Sequence, residues 1–154
     1  MEYVILKWLH ILSSTLLFGT GIGSAFYLLL TTLSRDVRAI ATVAHIVVIA
    51  DTLFTATTAV FQPVSGFWLV HIMQLPITTP WVLWSTILYV IAIACWLPVV
   101  YIQIQLRNIA RQAANENTHL PPTYWKLFRW WVALGFPALI SFLAIFYLMV
   151  AKHI

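Results

Sequence analysis

The sequence predicts an all-α protein, a single bundle of four transmembrane helices, and three observations predict it. Only 8% of the 154 residues are charged, against about a quarter in a soluble domain, whose surface must face water. The mean hydropathy is +0.94. Four apolar segments are each long enough to cross a hydrocarbon core of about 30 Å, which takes about 20 helical residues. We therefore expect residues 1–154 to form one integral membrane domain in a lipid bilayer.

The four spans can be placed from the apolar segments and the polar residues between them. The first is predicted at about 4–33, where Ser34-Arg35-Asp36 ends it. The second, at about 39–73, would be about 50 Å long at 1.5 Å per residue, which exceeds the bilayer core. The helix therefore either projects beyond the bilayer or bends near Gln62-Pro63, and we favour the bend because proline removes a backbone donor and commonly kinks transmembrane helices. The third and fourth spans are predicted at about 81–106 and 130–151.

Basic residues give the expected orientation. Most of the lysines and arginines lie in the first and third loops, whereas the second loop, residues 74–80, has none. By the positive-inside rule the first and third loops are cytoplasmic, so both termini are expected outside, in the periplasm of a bacterial inner membrane. The basic residues of these two loops are Arg35, Arg38, Arg107, Arg111, Lys126 and Arg129.

Several classes of function are disfavoured. The basic residues do not form one continuous face, so the sequence predicts no nucleic-acid partner. Cys95 is the only cysteine, which excludes an intrachain disulfide and a Cys-x-x-Cys centre. Motifs of hydrolases and of nucleotide-dependent enzymes are absent from the sequence.

Polar residues recur at helical spacing within the spans, and lipid-facing surfaces avoid such groups. We therefore expect these stripes to face the bundle interior, where they either serve a function or hydrogen-bond neighbouring helices. The stripe of the second span is Asp51, Thr55, Thr58, Gln62 and Ser65. That of the first is His10, Ser13, Ser14, Gly21 and Ser24, and that of the third is Ser85, Tyr89, Trp96 and Gln103.

A pair of small residues, Gly19 and Gly23, forms a GxxxG motif on the side of the first helix opposite His10. Small residues let helix backbones approach closely, so this face is expected to pack against another helix or a second copy of the chain in a homodimer or larger membrane complex.

Asp51 and His10 are the candidate functional residues, because ionisable groups within a span are rare and are usually paired or functional. Asp51 suits a structural carboxyl or a proton-transfer group. His10 can hydrogen-bond, bind a metal or ligate haem iron. A second haem ligand must lie at a similar depth, and His71 matches His10 better in this respect than His45 does.

Copper is an alternative, because thioether and imidazole groups suit Cu(I). The sequence places His71 and Met73 on the same expected side of the membrane as Met149 and His153.

Two sequence segments, Lys7-Trp8-Leu9-His10 and Ser65-Gly66-Phe67-Trp68-Leu69, resemble those of the four-helix superfamily that contains HemJ-type protoporphyrinogen oxidases and CopD-like copper-resistance proteins. The chain is more closely similar to a bacterial family of predicted integral membrane proteins of unknown function. The segments that carry this similarity are Ala50-Asp51, Phe54-Thr55, Gln62-Pro63, Thr79-Pro80-Trp81, Cys95–Val100 and Leu148–Lys152.

The resemblance implies b-type haem bound through the first-helix histidine, here His10, with Lys7 completing the Lys-x-x-His pattern. On the third helix, where HemJ-type proteins place a histidine and a lysine, this chain has Leu83 and Ser85. We therefore expect a haem b protein of electron transfer or oxidation, in which His10 and His71 are the ligands. The competing hypotheses are a non-catalytic accessory or assembly subunit and a CopD-like copper-handling protein.

Overall fold

The computed structural model describes residues 1–152, which form four long helices and no strands. Helix α1 spans Glu2–Ser34, α3 spans Pro80–Glu116 and α4 spans Pro122–Ala151. Helix α2, Val37–Ile72, consists of an α-helical part, Val37–Ala50, a π-helical turn, Asp51–Thr55, and a second α-helical part, Ala56–Ile72. All four helices are long and apolar enough to cross a membrane, as the sequence predicts.

Helices α1 and α2 are joined by a tight turn at the predicted break. Arg35 adopts the left-handed conformation (φ 61°) and ends α1. Asp36 then caps α2, because its Oδ1 accepts hydrogen bonds from the backbone N–H groups of Arg38 (3.0 Å) and Ala39 (3.1 Å). The polar residues that end the first span therefore also begin the second helix.

The helices α3 and α4 continue beyond the predicted spans. Helix α3 extends to Glu116 and α4 begins at Pro122, so only a short connection separates them. The sequence after residue 106 is too polar for a bilayer core, but its alanine, arginine and glutamine are strong helix formers. Polarity therefore ends the membrane-spanning part and not the helix.

The irregular turn of α2 lies at Asp51–Thr55. It is about two turns before Pro63, near which the sequence predicts a bend. Pro63 itself is within an α-helical segment. A π-turn arises when one residue is inserted into a helix, and such turns are frequent at functional sites. The π-helical turn of α2 therefore begins at Asp51, the only acidic residue of this helix.

The end of the bundle that carries the α1–α2 and α3–α4 turns, here called the basic end, is closely packed. Tyr124 and Leu28 are fully buried there, and the Tyr124 hydroxyl lies 3.0 Å from the Thr32 hydroxyl, which joins α4 to α1. Aromatic rings of α4 stack in series from Tyr124 through Phe128 to Trp131. This cluster is the main hydrophobic core.

The opposite end, which holds both ends of the described chain and is here called the termini end, is more open. Helix α1 packs along α2 and α3 packs along α4, and the first part of α2 also packs on α3, while two cavities lie between the helices in the rest of the bundle. Large apolar side chains cover the outside, including Val60 (68% exposed) and Val150 (85% exposed). Such a surface is unfavourable in water but is the expected surface towards lipid.

Gly19 and Gly23 pack against no other helix of the described chain, since a Cβ atom at either position would meet no atom within 4 Å. Packing of this face against a second copy therefore stays a prediction.

Candidate functional site

The larger cavity lies at the termini end, has a volume of about 420 Å³ and is lined by all four helices. Its walls are mainly apolar, and include Phe67, Trp81, Phe142 and Phe146. His10 lies in its wall. The cavity is within the usual size range of small-molecule and cofactor sites, about 300–1,000 Å³.

The His10 imidazole is held against α2. Its Nδ1 lies 2.7 Å from the Ser65 Oγ, and Ser65 in turn donates to the Phe61 carbonyl oxygen at 2.8 Å. The Gln62 side-chain amide donates to the His10 carbonyl oxygen at 3.1 Å. Gly66 makes this approach feasible, because a Cβ there would lie 3.3 Å from the His10 Cε1. Neighbouring residues of α2 thus position one histidine of α1.

This hydrogen-bond pattern favours one tautomer of His10. A serine hydroxyl has a single proton, and a carbonyl oxygen can only accept. With Ser65 donating to Phe61, the Nδ1 of His10 carries the proton and donates to Ser65. The lone pair is then on Nε2, which has no hydrogen-bond partner among residues 1–152. A neutral imidazole in this state is a metal ligand.

Two cationic side chains and one unpaired hydroxyl also line this cavity. Lys7 and Lys152 lie at its termini end, over the rings of Tyr3 and Trp81 respectively, each 5.6 Å from the ring centroid. Ser85 is 6% exposed, and its hydroxyl has no hydrogen-bond partner within the described chain. A buried hydroxyl without a partner is unfavourable unless a ligand or water supplies one.

Of the other described residues expected to ligate haem iron or copper, only the two methionines lie at the cavity that His10 lines. His71 is exposed and is not among the described residues that line the cavity, so the structure does not bring it together with His10 there. Met73 and Met149 do line the cavity and pack against the same small cluster. His45 is exposed, and His153 lies outside the described residues. No cluster of three or more His, Cys, Asp or Glu suited to a metal occurs within residues 1–152.

The smaller cavity, about 300 Å³, lies nearer the middle of the bundle and contains the expected carboxylate, Asp51. All five polar residues expected on this face of α2 are buried. The Asp51 Oδ1 accepts hydrogen bonds from Ser24 (3.2 Å) and Thr55 (2.9 Å), and its Oδ2 accepts one from the Gln103 amide nitrogen (2.7 Å). Three helices therefore contribute to one polar site.

Tyr89, from the polar stripe expected on the third span, lies away from Asp51. Its hydroxyl donates to the carbonyl oxygen of Ala59 on α2, and its ring lines the larger cavity. Tyr89 and Asp51 therefore belong to different parts of the bundle interior.

Trp131 is a site residue that the sequence pattern alone does not identify. Its indole N–H donates to the Gln103 Oε1 at 3.2 Å, which leaves the Gln103 NH₂ group directed at Asp51. In the sequence, Trp131 is recognisable only as a tryptophan at the start of an apolar span, and such residues also occur at membrane interfaces without a specific contact. The contact depends on how α3 and α4 are rotated relative to each other, and this rotation is visible only in the structure.

Comparison with curated proteins and with solved structures finds no match. A family model described as a predicted integral membrane protein, DUF2269, matches residues 4–153. The four apolar helices of the structure agree with that description. The chain therefore belongs to the DUF2269 family of predicted integral membrane proteins.

Proposed function

We propose that this protein is a bacterial inner-membrane redox protein that would bind haem b in the cavity at the termini end, with His10 as a ligand to the iron. The observation that carries the proposal is the His10–Ser65 hydrogen bond at the wall of an apolar cavity of about 420 Å³. Haem supplies one-electron chemistry, whereas the protein supplies ligation, orientation and exclusion of water.

The ligand chemistry of His10 supports this proposal. Haem-ligating histidines commonly donate their second ring N–H to a neighbouring acceptor, which fixes the ring and raises its basicity. Ser65 is such an acceptor for Nδ1, and Nε2 retains the lone pair that would bind iron.

The composition of the cavity also fits the amphiphilic shape of haem. The aromatic and aliphatic lining suits a porphyrin ring, and Lys7 and Lys152 suit its two propionate groups. The unpaired hydroxyl of Ser85 can donate to a bound ligand.

Three residues are candidates for the second ligand to the haem iron. His71 remains our expectation from sequence depth, but it requires its exposed side chain to turn into the cavity. Met73 and Met149 already line the cavity, and methionine paired with histidine is an established haem ligand set. Spectra of His71→Ala, Met73→Leu and Met149→Leu would distinguish these sets.

The family resemblance supports haem binding more than porphyrinogen oxidation. Lys7 and His10 keep the Lys-x-x-His pattern of the HemJ-type first helix, but Leu83 and Ser85 replace the third-helix histidine and lysine. Electron transfer needs only the bound haem, so it is the function that the remaining residues support best.

The decisive experiment is the absorption spectrum of the detergent-purified protein, oxidised and dithionite-reduced, beside His10→Ala and His45→Ala. His45 is the matched control because it is exposed on α2 and does not line the cavity. We expect a Soret band with reduced α and β bands that is lost only in His10→Ala. A protein that stays colourless after expression with added haem precursor would contradict the proposal and favour an accessory or assembly role.

Copper handling is a second candidate, favoured by the presence of Met73 and Met149 beside the same cavity. Thioether groups and an imidazole suit Cu(I). Copper that co-purifies with the colourless protein, and is lost in a Met73→Leu, Met149→Leu variant, would support this function over haem binding.

A further inference from the structure

The smaller cavity has a chemical character that haem binding at the termini end does not explain. It lies between α1, the π-turn of α2, α3 and α4, and shares only Leu17 and Phe142 with the larger cavity. Its lining combines one carboxylate, Asp51, with several aromatic rings.

Burial disfavours the ionised form of Asp51, whereas the surrounding hydrogen bonds favour it. The Trp131 indole N–H fixes the Gln103 amide so that its nitrogen donates to Asp51 Oδ2. Ser24 and Thr55 donate to Oδ1. A carboxylate has about four acceptor positions, so three donors leave one position unused. Hydrogen bonds to the charged form of a carboxyl group favour that form.

Asp51 has no compensating positive charge in the described part of the chain. Its hydrogen-bond donors are two hydroxyls and one amide, all neutral. From residue 39 to residue 106 it is the only formally charged residue. Buried charges in a membrane are costly and are normally paired with opposite charge or with a ligand. A cation entering this cavity would supply the opposite charge and so stabilise the ionised form of Asp51.

The rest of the lining indicates which kind of cation fits. Inorganic cations such as Ca²⁺ and Mg²⁺ need six or more oxygen ligands, whereas this lining is mostly hydrocarbon and aromatic. Aromatic faces attract organic ammonium groups, above all where water is excluded. The aromatic residues of the lining include Phe18, Trp96, Trp131, Phe136 and Phe142.

The cavity is accessible from the side of the bundle. Phe26 on α1 and Phe136 on α4 both line it, and they are 54% and 61% exposed. It therefore opens between α1 and α4 towards the surrounding lipid, from which an amphiphilic ligand can enter.

From these observations we infer that the cavity around Asp51 binds an organic cation, an aromatic or alkyl ammonium compound whose charge meets the Asp51 carboxylate and whose apolar part packs on Trp96 and Phe136. Asp51 begins the π-turn and lines the cavity, and the Trp131–Gln103 pair holds its carboxylate in place.

The test compares benzyltrimethylammonium with its neutral isostere neopentylbenzene, by titration of tryptophan fluorescence in non-ionic detergent with empty micelles as the blank. We expect saturable binding of the cation and an affinity for the neutral compound at least about tenfold weaker, since a desolvated cation–π contact alone contributes on the order of a factor of ten. Equal affinities would overturn the proposal. A titration with NaCl that reproduces the fluorescence change would also overturn it, because the site would then take an inorganic ion.

The variants separate binding from folding. Asp51→Asn keeps the size of the side chain, and we expect it to lose cation binding, whereas Glu116→Gln at the basic end should bind as the wild type does. Unchanged binding by a folded Asp51→Asn protein would overturn the proposal. Should Asp51→Asn fail to fold, Trp96→Leu leaves the hydrogen bonds of Asp51 intact and should still weaken cation binding severalfold; unchanged cation affinity in this variant would contradict the site.

Discussion

Tyr89 of α3 supplies the hydrogen-bond donor that Pro63 of α2 lacks. Proline has no backbone N–H, so Pro63 cannot donate to the carbonyl oxygen of Ala59 four residues earlier. The Tyr89 hydroxyl donates to that oxygen instead. In a lipid-embedded helix a freed carbonyl needs such a partner, because no bulk water is available to it. One side chain therefore satisfies the helix and joins α2 to α3 in the open half of the bundle.

This relationship predicts the effect of Tyr89→Phe. The variant leaves the Ala59 carbonyl without a donor, and we expect a loss of unfolding free energy of about 1 kcal/mol. The loss is measurable as a shift of the unfolding midpoint in mixed micelles with increasing SDS content.

The double-mutant cycle with Pro63→Ala tests the cause of that loss. The Pro63→Ala substitution restores a backbone N–H that can donate to the Ala59 carbonyl, so Tyr89→Phe should cost less than about half as much in this background. An equal cost in both backgrounds would show that Tyr89 stabilises the protein through packing and not through the Ala59 carbonyl.

The sequence predicts the four helices and the faces that they bury, but not how side chains of different helices meet. Hydrophobic length places the spans, and helical spacing places Asp51, Thr55 and Gln62 on one buried face. The π-helical turn at Asp51–Thr55 was not predicted from the sequence, and Pro63 lies within an α-helical segment in which Tyr89 supplies the donor that the proline lacks.

Contacts between helices depend on rotation and depth, which periodicity within one helix does not determine. The Gln103–Asp51 and Thr32–Tyr124 hydrogen bonds join residues that are 52 and 92 positions apart. Depth alone suggested His71 as a partner of His10, whereas the described contact of His10 is with Ser65. The fixed orientation of the His10 ring, the basis of the haem proposal, was therefore accessible only from the structure.

The Asp51 site predicts a strong effect of Gln103→Glu. This change replaces the amide that donates to Asp51 with a second carboxyl group at the same buried position. Two adjacent buried carboxylates repel each other, so one must take up a proton to remain there, and we expect a loss of stability of about 3 kcal/mol at neutral pH that becomes smaller as the pH falls. The measurement is again the unfolding midpoint in mixed micelles.

Gln112→Glu is the matched control for that charge effect. Gln112 is exposed and donates to Glu116 at 2.9 Å, so the change also creates two neighbouring carboxylates, but at the surface. We expect a loss of only about 0.5 kcal/mol, because exposed like-charge pairs interact weakly. Similar losses at both positions would argue against a buried, donor-bound Asp51 carboxylate.

The proposed haem site predicts that Ser65→Ala weakens haem binding without abolishing it. The His10 imidazole stays in place, but its Nδ1 loses the acceptor that orients it. Loss of such a partner typically reduces affinity by about 10–100-fold. The measurement is a haem titration of the apoprotein followed at the Soret band.

Ser141→Ala is the control for Ser65→Ala, since Ser141 is also a buried serine but does not line the cavity at the termini end. This variant should bind haem as the wild type does. Unchanged affinity in Ser65→Ala would contradict the role given to the His10–Ser65 contact.

The positive-inside rule predicts that the basic end of the bundle faces the cytoplasm. Six of the eight lysines and arginines lie in the α1–α2 connection or within the last three turns of α3 and the first two to three turns of α2 and α4 at the same end, whereas the α2–α3 connection has none. The prediction can be tested with single cysteines in a Cys95→Ser background, at Thr78 in the α2–α3 connection and at Thr118 in the α3–α4 connection. Both threonines are exposed.

A membrane-impermeant maleimide should label Thr78→Cys in intact spheroplasts and should label Thr118→Cys only after detergent treatment. The Cys95→Ser protein without an added cysteine controls for background labelling. The reverse pattern would place both ends of the described chain in the cytoplasm, and with them the cavity that His10 lines. A haem in that cavity would then exchange electrons with cytoplasmic rather than periplasmic partners, so the labelling result also decides on which side a redox partner should be sought.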